Sequence, residues 1–171
     1  MKNMITLFGF LILFTSCEEK TENPENTRGI PGPEKVEAAV QSFAKQQDSL
    51  AEALKNEGYQ VFSYQEGDTT YLMQQYYMVF LKTGANRSQD STEAAALQQQ
   101  HLAYLTRMAE EGYASLIGPF GDDGDIRGIA VYNTRTAAEA DSLANQDPMV
   151  KAGRLEVEVH PWWTAKGGKL P

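Results

Sequence analysis

Histidine is the side chain that gives and takes protons near neutral pH, and this chain has two, His101 and His160. At 100° per residue, Ala94, Leu97, His101, Tyr104, Leu105 and Met108 fall within about 100° of one another, so His101 stands in the middle of an apolar helix face. A histidine there is either a satisfied core residue or half of an acid/base site. Asp147, 46 positions later and just before Pro148, is either a helix-end or turn residue or the carboxylate that fixes the histidine's tautomer. Only the fold can bring the two together.

The other candidates are weaker. Asp122-Asp123-Gly124-Asp125 lacks the alternate carboxylates and distal glutamate of a calcium loop and reads as a solvated turn. Arg127 is the cation near the Gly118-Pro119 break; it either meets an anionic ligand or forms a surface ion pair with those aspartates. Trp162 and Trp163 end the last strand and belong to the core, an interface or a pocket wall. His160 has no histidine nearby to complete a metal site. No Ser-His-Asp order, phosphate loop or dinucleotide fingerprint is present, so neither a metal nor a cofactor is implied.

These residues must be positioned by a single ordinary domain, since 171 residues with 42% hydrophobic content leave no room for a second. The formal net charge is -8, and no basic patch is available for a phosphate backbone, which argues against nucleic acid as a partner.

The single cysteine, Cys17, excludes an intramolecular disulfide and a thiolate cluster. Lys2 gives a positive end, Met4 to Phe14 an apolar run, and Thr15-Ser16 lead into Cys17, as in a secretory signal. The run is too short to span a bilayer, which needs about twenty helical residues. It resembles the bacterial lipoprotein leader, in which the cysteine becomes the first mature residue and carries the lipid. That resemblance implies residues 1–16 as signal peptide, Cys17 as lipid attachment site, and a domain anchored in the cell envelope outside the cytoplasm.

Residues 17–33 are polar and read as a tether. From Glu34 to Glu57, Val36, Val40, Phe43, Leu50 and Leu54 make one stripe of an amphipathic helix stopped by Gly58. The stripe is expected to pack on the following domain rather than on a second copy. Tyr59–Tyr64 and Thr69–Leu81 form a hairpin around Glu66-Gly67-Asp68. Asp90 with Glu93 caps a helix running to about Glu111. Ala114–Ile117, broken off by Gly118-Pro119, and Gly128–Asn133 are strands, and Thr136 with Glu139 repeats the capping pattern for a helix through Asn145, ended by Asp147-Pro148. Leu155–Val159 is the last strand, and Pro161-Trp162-Trp163 closes the domain.

The order from Tyr76 is strand, helix, strand, strand, helix, strand. This predicts an α+β fold of the ferredoxin-like split βαβ type, with both helices on one face of an antiparallel sheet. The extensions are a helix and hairpin over 34–75 and a tail over 164–171. The open sheet face is expected to be buried in a homodimer.

The series His101-Leu-Ala-Tyr-Leu, Glu111-Gly112, Gly118-Pro119, Ala137 to Ala140, Asp147-Pro148 and Gly153 resembles the YciI-like (YCII-related) family over residues 76–163. The resemblance implies a dimeric α+β barrel and marks His101 and Asp147 as an active-site pair. One relative is associated with dehydrochlorination of a chlorinated hydroxyhydroquinone, and the wider superfamily includes isomerases and monooxygenases of small ring compounds. Two functions are therefore expected in competition. One is binding of a small anionic or cyclic molecule at His101, Asp147 and Arg127, with proton transfer leading to elimination, isomerisation or hydrolysis. The other is a non-catalytic dimerising lipoprotein in which His101 is structural.

Overall fold

The structure is a computed structural model and describes residues 32–168. The expected signal peptide, Cys17 and all of the expected tether but its last two residues lie outside the described residues.

Helix α1 (Pro33–Asn56) starts with proline at its first position and stops at Gly58, whose φ of 92° is the left-handed conformation that ends a helix. Strands β1 (Val61–Glu66) and β2 (Thr69–Thr83) form the hairpin, turning at Gly67 (φ 57°). Helix α2 (Ser91–Glu110) carries the full reciprocal cap: Asp90 Oδ1 accepts from the Thr92 and Glu93 amides at 2.8 and 2.9 Å, and Glu93 Oε2 accepts from Asp90 N–H at 3.2 Å. Then come β3 (Ala114–Pro119), β4 (Ile126–Tyr132), α3 (Ala137–Ala144), a single turn α4 (Pro148–Lys151) and β5 (Leu155–Ala165).

Strand β2 pairs along one edge with β1 and then β4, and along the other with β5, while β3 lies outside β4; every pairing is antiparallel. From β2 onward the spatial order β5-β2-β4-β3 is that of the ferredoxin-like sheet, so the α+β split βαβ expectation holds. Tyr77, Val79 and Leu81 of β2 and Ala130 and Tyr132 of β4 point to one face. There they bury against Tyr104 and Met108 of α2 and Ala140 and Ala144 of α3.

Four local expectations are corrected. The α1 stripe packs on the domain as expected only at its C-terminal end: Ala51 and Leu54 bury with Val61 and Leu72, on the sheet face away from α2 and α3, but Val36, Val40, Phe43 and Leu50 are exposed. The reason is leverage, since a 24-residue helix is about 36 Å long and meets the sheet only through its last turns. Gly118-Pro119 does not break β3; the strand runs through it with a bulge between Ser115 and Gly118. Pro161-Trp162-Trp163 does not end β5, which continues to Ala165, two residues into the stretch read as a tail. Proline is tolerated there because β5 is an edge strand. Finally, Asp147-Pro148 does not end α3, which stops at Ala144 with Asn145 as its cap; it begins a further helical turn, α4.

Candidate active site

Each half of the pair is held by ordinary helix chemistry. His101 is about three turns into α2, on its buried face, next to Tyr104 and Met108. Asp147 is the N-cap of α4, where its Oδ1 accepts the Met149 N–H at 2.8 Å and Pro148 occupies the first helical position. Packing of α4 on α2 then sets Asp147 Oδ2 2.6 Å from His101 Nδ1. Asp147 is 1% exposed and His101 8%, so bulk water competes little for this contact.

The carboxylate only accepts, so the Nδ1–H of His101 donates to it. In the neutral imidazole this leaves Nε2 with a lone pair. Since Nδ1 is engaged, Nε2 is the nitrogen available to the space that His101 borders, a cavity of about 900 Å³. Its walls are mostly aliphatic, from Leu81, Leu102, Leu105, Ile117, Ile129 and Leu155. That size lies within the usual range for small-molecule sites.

The β3 bulge shapes one wall. Leu116 takes a φ of 48°, uncommon for a residue with a Cβ, and the extra residue turns Ile117, Gly118 and Pro119 toward the cavity. Strands β3 and β4 approach so closely here that a Cβ on Gly128 would lie 2.8 Å from the Gly118 carbonyl oxygen.

Two tyrosines stand around the carboxylate. Tyr132 is buried on β4, and burial foremost, then the Tyr104 phenol and the Asp147 charge, push its hydroxyl well above its ordinary value. The Tyr104 hydroxyl donates to Leu143 O at 2.5 Å and is raised chiefly by burial. Both remain neutral near pH 7.

The sequence candidates thus separate. His101 and Asp147 meet, and Arg127 lines the same cavity, its Nη1 donating to the Gly124 carbonyl at 3.1 Å rather than pairing with an aspartate. The acidic turn is exposed; its Asp125 sits 3.7 Å from Lys82. His160 is on the other sheet face, 2.7 Å from Glu158, and Trp163 is 40% exposed against Phe62. Among the described residues no group of three His, Cys, Asp or Glu could hold a metal ion. Sequence reasoning missed Arg87 and Arg154 in the cavity wall, and Tyr132. The signal for Arg154 was its place right after Gly153, a residue of the family pattern, at the head of the last strand.

Residues 76–163 match the family described as YCII-related domain. Among solved structures, 5-chloro-2-hydroxyhydroquinone dehydrochlorinase from Burkholderia phenoliruptrix AC1100, in complex with 2,5-dihydroxybenzoquinone, is similar at 22% identity and a TM-score of 0.38; the match covers 50% of this chain and 92% of that one. No curated protein matches the chain.

Proposed function

The chain belongs to the YCII-related domain family, and from that premise we propose that it binds a small molecule in the His101 cavity and moves a proton there. The observation that carries this is the 2.6 Å contact of Asp147 with His101 Nδ1, made by two buried side chains in the wall of a cavity of about 900 Å³. Asp147 orients the ring and supports the imidazolium that forms, while Nε2 takes a proton from a substrate carbon or oxygen. If that proton is returned to another atom the result is isomerisation, if a leaving group departs it is elimination, and if the proton comes from water it is hydrolysis. Proton transfer of this kind calls for no cofactor.

We further propose that the domain works outside the cytoplasm, tethered through a lipid on Cys17, as a homodimer. The apolar run Met4–Phe14 ending at the chain's one cysteine supports the first part. Half-buried Tyr76, Met78 and Phe80, on the sheet face that α2 and α3 leave uncovered, support the second. Among the described residues no helix is long and apolar enough to cross a membrane.

One observation favours a competing reading: Asp147 also caps α4, so the pair has a structural use of its own. Solvent exchange separates the two. The protein is incubated in D2O with a panel of small ketones, phenols and carboxylic acids, and deuterium incorporation at carbon is followed by proton NMR. The proposal predicts catalysed exchange in the wild type that is lost in His101→Asn with little change in thermal stability. No exchange across the panel, together with a large stability loss in His101→Asn, assigns the pair to the scaffold.

A further inference from the structure

We infer that the ligand of the His101 cavity is a small monocarboxylate, and that Arg154 is the residue that receives its carboxylate. The inference rests on the reading of this cavity as a substrate site and names the substrate's class.

Arginine is concentrated here against the trend of the molecule. The chain carries a net charge of -8, yet the cavity wall holds Arg87, Arg127 and Arg154 against one carboxylate, Glu110. Among the described residues none of the three arginines takes part in an ion pair, whereas Arg107 and Arg135 each pair with a glutamate four positions on. Three cations along the wall of one cavity, with aliphatic residues between them, make a site selective for an anion.

Within that set Arg154 is the built-in receptor. Arg87 and Arg127 are exposed, and Arg127 already donates to Gly124 O. Arg154 is half-buried, its Nη1 donates to Gln89 Oε1 at 2.9 Å, and its Nε is buried with no acceptor. A buried guanidinium N–H left without an acceptor is uncommon and costly, so Arg154 alone among the three lines the cavity with buried hydrogen-bonding capacity that the protein leaves unmet. The backbone holds the residue in place: Arg154 N–H donates to Met149 O at 3.0 Å, and Arg154 O accepts from Gly84 N–H at 2.9 Å. Gly84 permits this approach, since a Cβ there would stand 2.2 Å from the Gly153 carbonyl oxygen.

The chemistry narrows the anion. A guanidinium edge offers two parallel N–H donors that match the two oxygens of a carboxylate. Of the three arginines only Arg154 is withdrawn from solvent, so the charge that burial strengthens is a single one, which suits a monoanion better than the dianion of a phosphate monoester. The aliphatic lining, Leu81, Ile117 and Leu155 among it, calls for a hydrocarbon or ring body attached to the carboxylate. Arg154 and His101 line the same cavity, so an acid held at Arg154 and acted on at His101 is one whose reacting carbon lies away from its carboxylate.

The test uses the full chain labelled with 15N-arginine and 15N-histidine. Benzoate, phenylacetate and 3-phenylpropionate are titrated to millimolar concentration beside their neutral amides and phenyl phosphate, following the Arg154 Nε–H and His101 ring signals. At least one carboxylate is expected to move the Arg154 Nε–H signal saturably while its amide does not. Arg154→Gln is expected to weaken that carboxylate roughly tenfold or more, with partial recovery in Arg154→Lys, which keeps the charge without the fork. The inference is overturned if no carboxylate reaches Arg154, if the amides bind as well as the acids, or if phenyl phosphate binds more tightly. A wild-type titration needs no variant to fold. Carboxylate binding through Arg154 without any His101-dependent proton exchange supports this inference and overturns the proton-transfer reading; His101-dependent exchange of amides and acids alike does the reverse.

Discussion

Asp147 Oδ2 lies 2.6 Å from His101 Nδ1, and the other oxygen of the same carboxylate receives the Met149 amide at 2.8 Å. One side chain therefore does two tasks, orienting a ring on α2 and starting α4. The tasks respond differently to substitution.

Asp147→Asn keeps an oxygen for the Met149 amide but offers the histidine an NH2 group, which forces the ring proton from Nδ1 to Nε2. Stability is expected to change little, while any His101-dependent exchange falls roughly 10²- to 10⁴-fold, the usual worth of a positioned acid/base group. Asp147→Ala removes both acceptors and is expected to cost about 2–4 kcal/mol, from a lost cap and an unpaired buried donor. Urea unfolding and the D2O exchange assay check the pair. Equal stability loss in both variants would contradict the division of roles.

Alkaline stability follows from Tyr132. Its folded hydroxyl titrates above the ordinary value of 10.0, chiefly through burial. The stability it contributes is therefore fully present below about pH 10 and is lost as pH rises beyond it, because the unfolded phenol ionises first. The urea midpoint is expected to fall above that pH, and less steeply in Tyr132→Phe. Part of the fall remains in the variant, since Tyr76, Tyr77 and Tyr104 are raised as well. A slope unchanged by the substitution would mean that Tyr132 is not buried as described.

Helix α1 separates into a docked end and a free end. Leu54→Ala removes a side chain buried with Ala51, Val61 and Leu72 and is expected to cost about 2–4 kcal/mol. Phe43→Ser, on the exposed part of the same stripe, is expected to stay within about 0.5 kcal/mol of wild type. Urea denaturation of both tests this, and a Phe43→Ser cost equal to that of Leu54→Ala would show the whole stripe packed in solution.

The sheet order and the two main helices were legible in the sequence because their signals are local. The Asp90–Glu93 box, the apolar face of α2 and the alternation of β2 each mark an element without reference to the rest. The second cap was legible only in half: Thr136 accepts the Glu139 amide, but the Glu139 carboxylate turns to the Arg135 amide. What escaped depended on long-range placement. Four residues are too few to show a helical period, so α4 leaves no trace in the sequence beyond Asp147-Pro148, a pair that reads equally as a turn. The β3 bulge needs the β4 register to appear, and the edge position that lets Pro161 stay in a strand needs the whole sheet. At the site, His101 and Asp147 were legible as candidates through the family pattern, whereas Arg154 gains meaning only once its N–H groups are counted against the acceptors around them.

The most direct test of the proton-transfer account is the tautomer of His101, read by long-range 15N–1H NMR of histidine-labelled protein at a pH where the ring is neutral. The account predicts the proton on Nδ1, with Nε2 free, and a switch to Nε2–H in Asp147→Asn. A wild-type His101 carrying its proton on Nε2 would contradict it, because the nitrogen toward the cavity would then have no lone pair to accept a proton.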